Sequence, residues 1–223
     1  MKSRPPSDHL SSSMTDLMTS LMVIFVLLLV TKLNNQASSV ERAVDYVVKA
    51  IEAKPQLFRN GEQIKKEADV IVLIVPNELM SFRQAYADQG GANLTDAGKA
   101  YLKERIPMLS SVICDEKVRE KVETVIVEGH SDTTGAGRQQ NLELSQQRSM
   151  AVVSQSLTVL QSNESLAACF LELLSATGRG DSHPIDPQNP SSPLNRRVEF
   201  RIRVKSGILE EVDRPSTPRV LTR

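Results

Sequence analysis

Val122-Glu123-Thr124-Val125-Ile126-Val127-Glu128-Gly129-His130-Ser131-Asp132 is the stretch whose reading decides the fold. Residues 122–127 are rich in β-branched side chains and predict a buried strand. Gly129 to Asp132 then leave its carboxyl end as a polar loop, where Asp132 faces outward to ligand.

Outward from this strand, the chain alternates between two periodicities. Upstream, Val70-Ile71-Val72-Leu73-Ile74-Val75 is a β-branched run stopped by Pro76, hence a second strand. Between the two, Thr95 is an N-cap for a helix over Ala97 to Leu109 or beyond. Downstream, Asn141 to Leu160 predicts a helix with Leu142, Leu144, Val152, Val153 and Leu157 as apolar contacts, and Leu166 to Leu174 continues in helix. A short extended piece follows near Ser175 to Gly178, and Pro184, Pro187, Pro190 and Pro193 punctuate a long loop. Arg197-Val198-Glu199-Phe200-Arg201-Ile202-Arg203-Val204 alternates strictly, with Val198, Phe200, Ile202 and Val204 inward. The order of strands and helices is that of an α+β domain, an α/β sandwich with helices on one face of a small sheet, over residues 69–204.

The other decisive stretch is N-terminal. From Leu10 to Leu33 the formal charges are Asp16 and Lys32, and a helix of that length spans about 36 Å, enough for a hydrocarbon core. Lys2 and Arg4 precede it, which favours a cytoplasmic N-terminus. A cleaved signal peptide would use the same basic residues, but Asp16 and Lys32 break that pattern. A carboxylate in hydrocarbon costs roughly 2.5–3.5 kcal/mol, so Asp16 points to an ion pathway or a charged partner helix.

The remaining segments are a tail at 1–9, a linker at 34–68 and a second tail at 205–223. Within the linker, Val40, Val44, Val47, Val48 and Ile51 recur at helical spacing up to Lys54-Pro55. That amphipathic stripe needs a partner: the domain, a second copy of the chain, or a membrane surface.

Lys plus Arg and Asp plus Glu number 27 each, so charge balance gives no reason to expect nucleic acid as a partner. No nucleophile–base pair stands at a credible spacing, so the chain is expected not to be an enzyme. Gly135-Ala136-Gly137 lacks the Lys-Ser or Lys-Thr of a phosphate loop. His9, His130 and His183 form no zinc pattern, so neither metal nor cofactor is expected. Cys114 and Cys169 either pair, as an exported domain permits, or stand apart as small buried hydrophobes.

Asp132, with Arg148 one to two turns into the next helix, could clamp a zwitterion, Arg taking the carboxylate and Asp the ammonium. An internal Asp132–Arg148 salt bridge explains the same spacing. Gly129-His130-Ser131-Asp132, Asn141 to Arg148 and Asn195-Arg196-Arg197-Val198 occur in order. Together they resemble the OmpA-like peptidoglycan-binding domain. The resemblance implies that Asp132 and Arg148 hold the diaminopimelate group of the peptide stem, with Asn141 and Arg197 at further motif positions. The chain departs from the pattern in a longer loop, Thr133 to Gln140, and in Ser149 where Ala is usual.

Asp16-Leu17-Met18-Thr19-Ser20-Leu21-Met22 is similar to the signature of MotB-like stator subunits. This resemblance implies that Asp16 carries a proton or sodium ion. It implies a multi-span MotA-like partner, two B chains in a ring of five A chains. The B chains would dimerise, the domain would grip peptidoglycan in the periplasm, and the 40–54 helix could act as a plug. The short tail resembles the ZorB branch, from the Zorya anti-phage defence system, more than flagellar members. A TolR/ExbD-type transducer would share the aspartate but lack the Gly129–Asp132 and Asn195–Arg197 blocks.

Overall fold

The computed structural model describes residues 7–57, 62–83, 91–134 and 137–205, with side chains from residue 13 onward. Residues 58–61, which include Asn60-Gly61, residues 84–90, Gly135-Ala136 and the tail beyond Lys205 lie outside the described residues.

Helix α1 runs Ser7–Glu52, and the chain divides within it, at Val40. Up to Val40 the helix is the one described segment long and apolar enough to cross a membrane. Asp16 and the apolar Leu17, Leu21, Ile24, Phe25 and Leu28 are exposed along it. No break separates span and linker. Asn34 to Ser39 contain neither Gly nor Pro to interrupt the helix.

The second unit, Glu41–Lys205, is built on a five-stranded sheet in the order β1-β2-β5-β3-β4. Its strands are β1 (Gln63–Glu67), β2 (Val70–Pro76), β3 (Val122–His130), β4 (Leu174–Gly178) and β5 (Arg197–Val204). β3 and β4 are parallel, and the other neighbours are antiparallel. The helices are α2 (Asp96–Ile113), α3 (Glu116–Arg119), α4 (Arg138–Leu160) and α5 (Glu164–Leu173). Thr95 caps α2 by accepting from the Gly98 amide, as its position before the apolar periodicity predicts.

The expected linker at 34–68 is in part core. Val44, Val47, Val48 and Ile51, the last turns of α1, are buried. The Lys66–Asp45 ion pair at 2.7 Å and Lys121 Nζ, 5.3 Å from the Tyr46 ring, flank them. The amphipathic stripe therefore finds its partner in the chain's own domain. Gln63 to Glu67, within the segment expected to be linker, form edge strand β1. An edge strand with one apolar residue, Ile64, carries almost no periodic signal.

Alternation separates the two sheet faces. Val198, Phe200, Ile202 and Val204 are buried on the face that carries Val125, Val127 and Gly129. The opposite face carries Glu128, His130, Arg197, Glu199 and Arg201. Cys114, which caps the end of α2, and Cys169 in α5 are joined with Cα atoms 6.2 Å apart.

Candidate functional site

β3 runs on through Gly129 and His130, beyond the expected end at Val127, and delivers Ser131 and Asp132 at its carboxyl end. The Ser131 amide donates to the Gly180 carbonyl at 2.9 Å, fastening this loop to the turn after β4. Asn141, in the first turn of α4, donates from Nδ2 to the Asp132 carbonyl at 3.1 Å. Asn141 thus holds the loop's backbone and is itself buried.

Asp132 is 4% exposed, and both of its carboxylate oxygens accept hydrogen bonds. Oδ1 accepts from the Thr134 amide at 3.2 Å and the Thr134 hydroxyl at 2.6 Å. Oδ2 accepts from Arg196 Nη1 at 3.2 Å. Arg196 follows a 3-10 turn, Pro193–Asn195, and that turn is fixed by Asn195. Asn195 Nδ2 donates to the carbonyls of Asn189 and Pro190, and its Oδ1 accepts from the Asp186 amide. The proline-rich loop is therefore pinned at both ends of the site, with the Thr133 amide donating to the Pro190 carbonyl.

Arg148 approaches from α4 and is 8% exposed. Its Nε donates to the Gly91 carbonyl at 3.1 Å, and its guanidinium lies 5.1 Å from the Phe82 ring centroid. Burial pulls its pKa down to about 10; the Arg196 charge acts in the same direction, while Asp132 opposes it. No direct Asp132–Arg148 bond is recorded among the described residues; the acid's salt-bridge partner is Arg196. Asp132 is thus in contact with Arg196, and the charges of both act on Arg148.

Arg197, an expected ligand residue, points elsewhere. Its Nε donates to Glu199 Oε1 at 2.7 Å, and its Nη groups donate to the carbonyls of Asn195 and His183. The physical reason is strand alternation. Arg197 begins β5 and shares a face with Glu199 and Arg201, whereas Arg196 lies just before the strand and turns to Asp132. Arg196 stood inside the Asn195–Val198 block without being given a ligand role, and Phe82 and Thr134 were given none.

Glu128, His130 and Glu199 bring ligand atoms within 4.8 Å of one another, all buried. Glu128 and Glu199 stand directly opposite across β3 and β5, a pairing that repels unless compensated. Arg179 donates to Glu128 Oε2 at 3.0 Å, while Arg197 and Arg201 take the two oxygens of Glu199. His130 Nε2 lies 3.2 Å from Glu128 Oε1. Burial raises the pKa of both glutamates, but His130 and these arginines more than reverse it, leaving each below the usual range. Three guanidiniums at these oxygens oppose a dication, so the donor set fits an ion-pair network rather than a metal centre.

The OmpA family matches residues 86–197. No curated protein matches the chain. Among solved structures, a MotB-like protein from Desulfovibrio vulgaris is 19% identical with a TM-score of 0.50, covering 77% of this chain and 98% of that one. The periplasmic domain of Helicobacter pylori MotB is 18% identical with a TM-score of 0.48, covering 68% and 87%. The cell wall anchor of the type VI secretion system from Pseudomonas aeruginosa is 19% identical with a TM-score of 0.42, covering 72% and 96%. The likeness to the Desulfovibrio structure is one of fold, and the family match spans half of this chain, including the loop of Asp132, the helix of Arg148 and the turn of Arg196. The chain belongs to the OmpA family.

Proposed function

We propose that the Glu41–Lys205 unit binds peptidoglycan through a zwitterionic end of its stem peptide. The observation that carries this reading is the charged cluster at the end of β3: buried Asp132 with Arg196 at 3.2 Å, and buried Arg148 near enough for both charges to act on it. Asp132 receives the ligand ammonium and Arg148 its carboxylate, in a bidentate pair over the Phe82 ring. Asn141 positions the Asp132 loop, and Arg197 anchors the start of β5. Sedimentation of the protein with purified peptidoglycan tests the reading. Arg148→Ala should leave most of the protein in the supernatant, and unchanged co-sedimentation would place the ligand elsewhere.

The whole chain reads as the B subunit of an ion-driven motor in the inner membrane. The N-terminus is cytoplasmic, residues 10–33 span the bilayer, and the domain is periplasmic. Asp16 takes up and releases a proton or sodium ion inside a MotA-like ring, two B chains to five A chains. Neutralising Asp16 changes its packing against the surrounding helices and drives rotation, while the wall-bound domains hold the B chains still. Its setting is anti-phage defence of the Zorya type. What supports this is the Asp16 signature on a long apolar helix joined to an OmpA-family domain. A flagellar stator subunit has the same parts and is the second reading. A tethered wall anchor without transport would make Asp16 incidental.

A further inference from the structure

We propose that Arg196 sets the site's selectivity, by occupying the oxygen that a ligand ammonium must take and by adding a second positive charge beside Arg148. This inference rests on the peptidoglycan-binding reading and names which chemical end of the stem the site accepts: one carbon bearing both an ammonium and a carboxylate.

The argument starts from charge. Among the described residues Asp132 is the one carboxylate within salt-bridge distance of Arg196, and the Arg148 guanidinium is near enough for both charges to act on it. A ligand bearing only an ammonium would add a third positive charge and displace Arg196 from Asp132 with nothing in exchange. A ligand bearing ammonium and carboxylate together repairs both losses. Its ammonium replaces Arg196 at Asp132 Oδ2, and its carboxylate is shared by Arg148 and the displaced Arg196.

Geometry makes this exchange available. Arg196 keeps 38% of its side chain exposed, so it has room to swing. Its Nε is buried and has no acceptor among the described residues, although its Nη1 is bound to Asp132. An unsatisfied guanidinium donor beside the site is suited to a carboxylate oxygen. Asp132 Oδ1, by contrast, is held by Thr134 from both amide and hydroxyl, so Oδ2 is the oxygen open to exchange.

The experiment uses the full-length chain in detergent micelles and isothermal titration with two peptides. One ends in meso-diaminopimelate; the other is identical but ends in L-lysine, whose side chain carries an ammonium alone. Wild type should favour the diaminopimelate peptide by about tenfold or more, the scale of one uncompensated charge near a protein surface. Arg196→Gln should bring the ratio within about threefold by improving the lysine peptide, whereas Arg196→Lys should preserve it. An unchanged ratio in Arg196→Gln, or an equal collapse in Arg196→Lys, overturns the assignment. Binding that Arg148→Ala leaves intact removes the clamp itself, and the inference with it. That pattern is separate from one in which Arg148 matters and Arg196 does not.

Discussion

Gly129 lies against the backbone of Ser145 so closely that a Cβ on it would overlap the Ser145 carbonyl oxygen. Gly178 makes a similar approach to the Gln146 amide and the Ser145 hydroxyl, so β3 and β4 both press glycines against one turn of α4. The same helix carries Asn141 and Arg148, so the glycine that opens the motif sets the height of the site. Gly129→Ala should therefore cost about 2–3 kcal/mol in thermal unfolding, because backbone must move rather than a side chain. A melting temperature equal to wild type would show that α4 shifts freely.

Phe82 is the platform for Arg148, and no motif announced it. Replacing it by Leu keeps the volume apolar but removes the ring face, worth about 1 kcal/mol. Peptidoglycan affinity should fall about fivefold while thermal stability stays close to wild type. A larger loss of stability than of binding would make Phe82 a packing residue only.

Acid should unfold the domain partly through Glu199. Its folded pKa lies below the ordinary 4.5, so its contribution is present above that value and is lost as pH falls through the folded one. Glu199→Gln should cost about 3 kcal/mol at neutral pH, since Arg197 and Arg201 lose their shared acceptor. The variant should also show a flatter decline of stability below about pH 4.5. Denaturant titrations at several pH values decide the point, and parallel acid limbs for the two proteins would count against it.

The bond between Cys114 and Cys169 closes a separation of 55 residues that contains β3 and α4. Loop entropy alone assigns it about 4 kcal/mol. Unfolding in the presence of a reductant, or in the Cys114→Ser/Cys169→Ser variant, should show a drop of that order. Reduction without effect would mean that the ends stay together unlinked.

Asp16→Asn should leave complex assembly intact and abolish ion flow, since the amide keeps the shape but not the titratable charge. Phage plating on cells with the native operon reads the consequence. Protection lost with the mutation joins ion flow to defence. Protection indifferent to Asp16 favours the anchor, and no protection in either strain sends the question to a swimming assay and the flagellar reading.

Much of the architecture was legible because its signals are local. The β-branched run at Val70–Val75 and the alternation over Arg197–Val204 identify β2 and β5 unaided. Thr95 marks the start of α2 for the same reason. What stayed hidden depends on tertiary partners. β1 is an edge strand of mostly charged residues that pairs only because β2 is beside it. The site divided along the same line: Asp132 and Arg148 were assigned by motif, Arg196 lay in a motif block whose contact with Asp132 only the fold makes, and Phe82 reaches the site from a segment far away in sequence.

The sheet order β1-β2-β5-β3-β4 places the last of the described strands in the middle. Without β5 the sheet would fall into two pairs that do not touch, β1 with β2 and β3 with β4, each with a bare inner edge. Insertion of Arg197–Val204 joins them, and the same event brings Arg196 to Asp132. The domain therefore closes like a keystone arch. A chain cut short before Arg197 would have neither a finished sheet nor the Asp132–Arg196 contact, so on the proposed function it should fail to bind the wall.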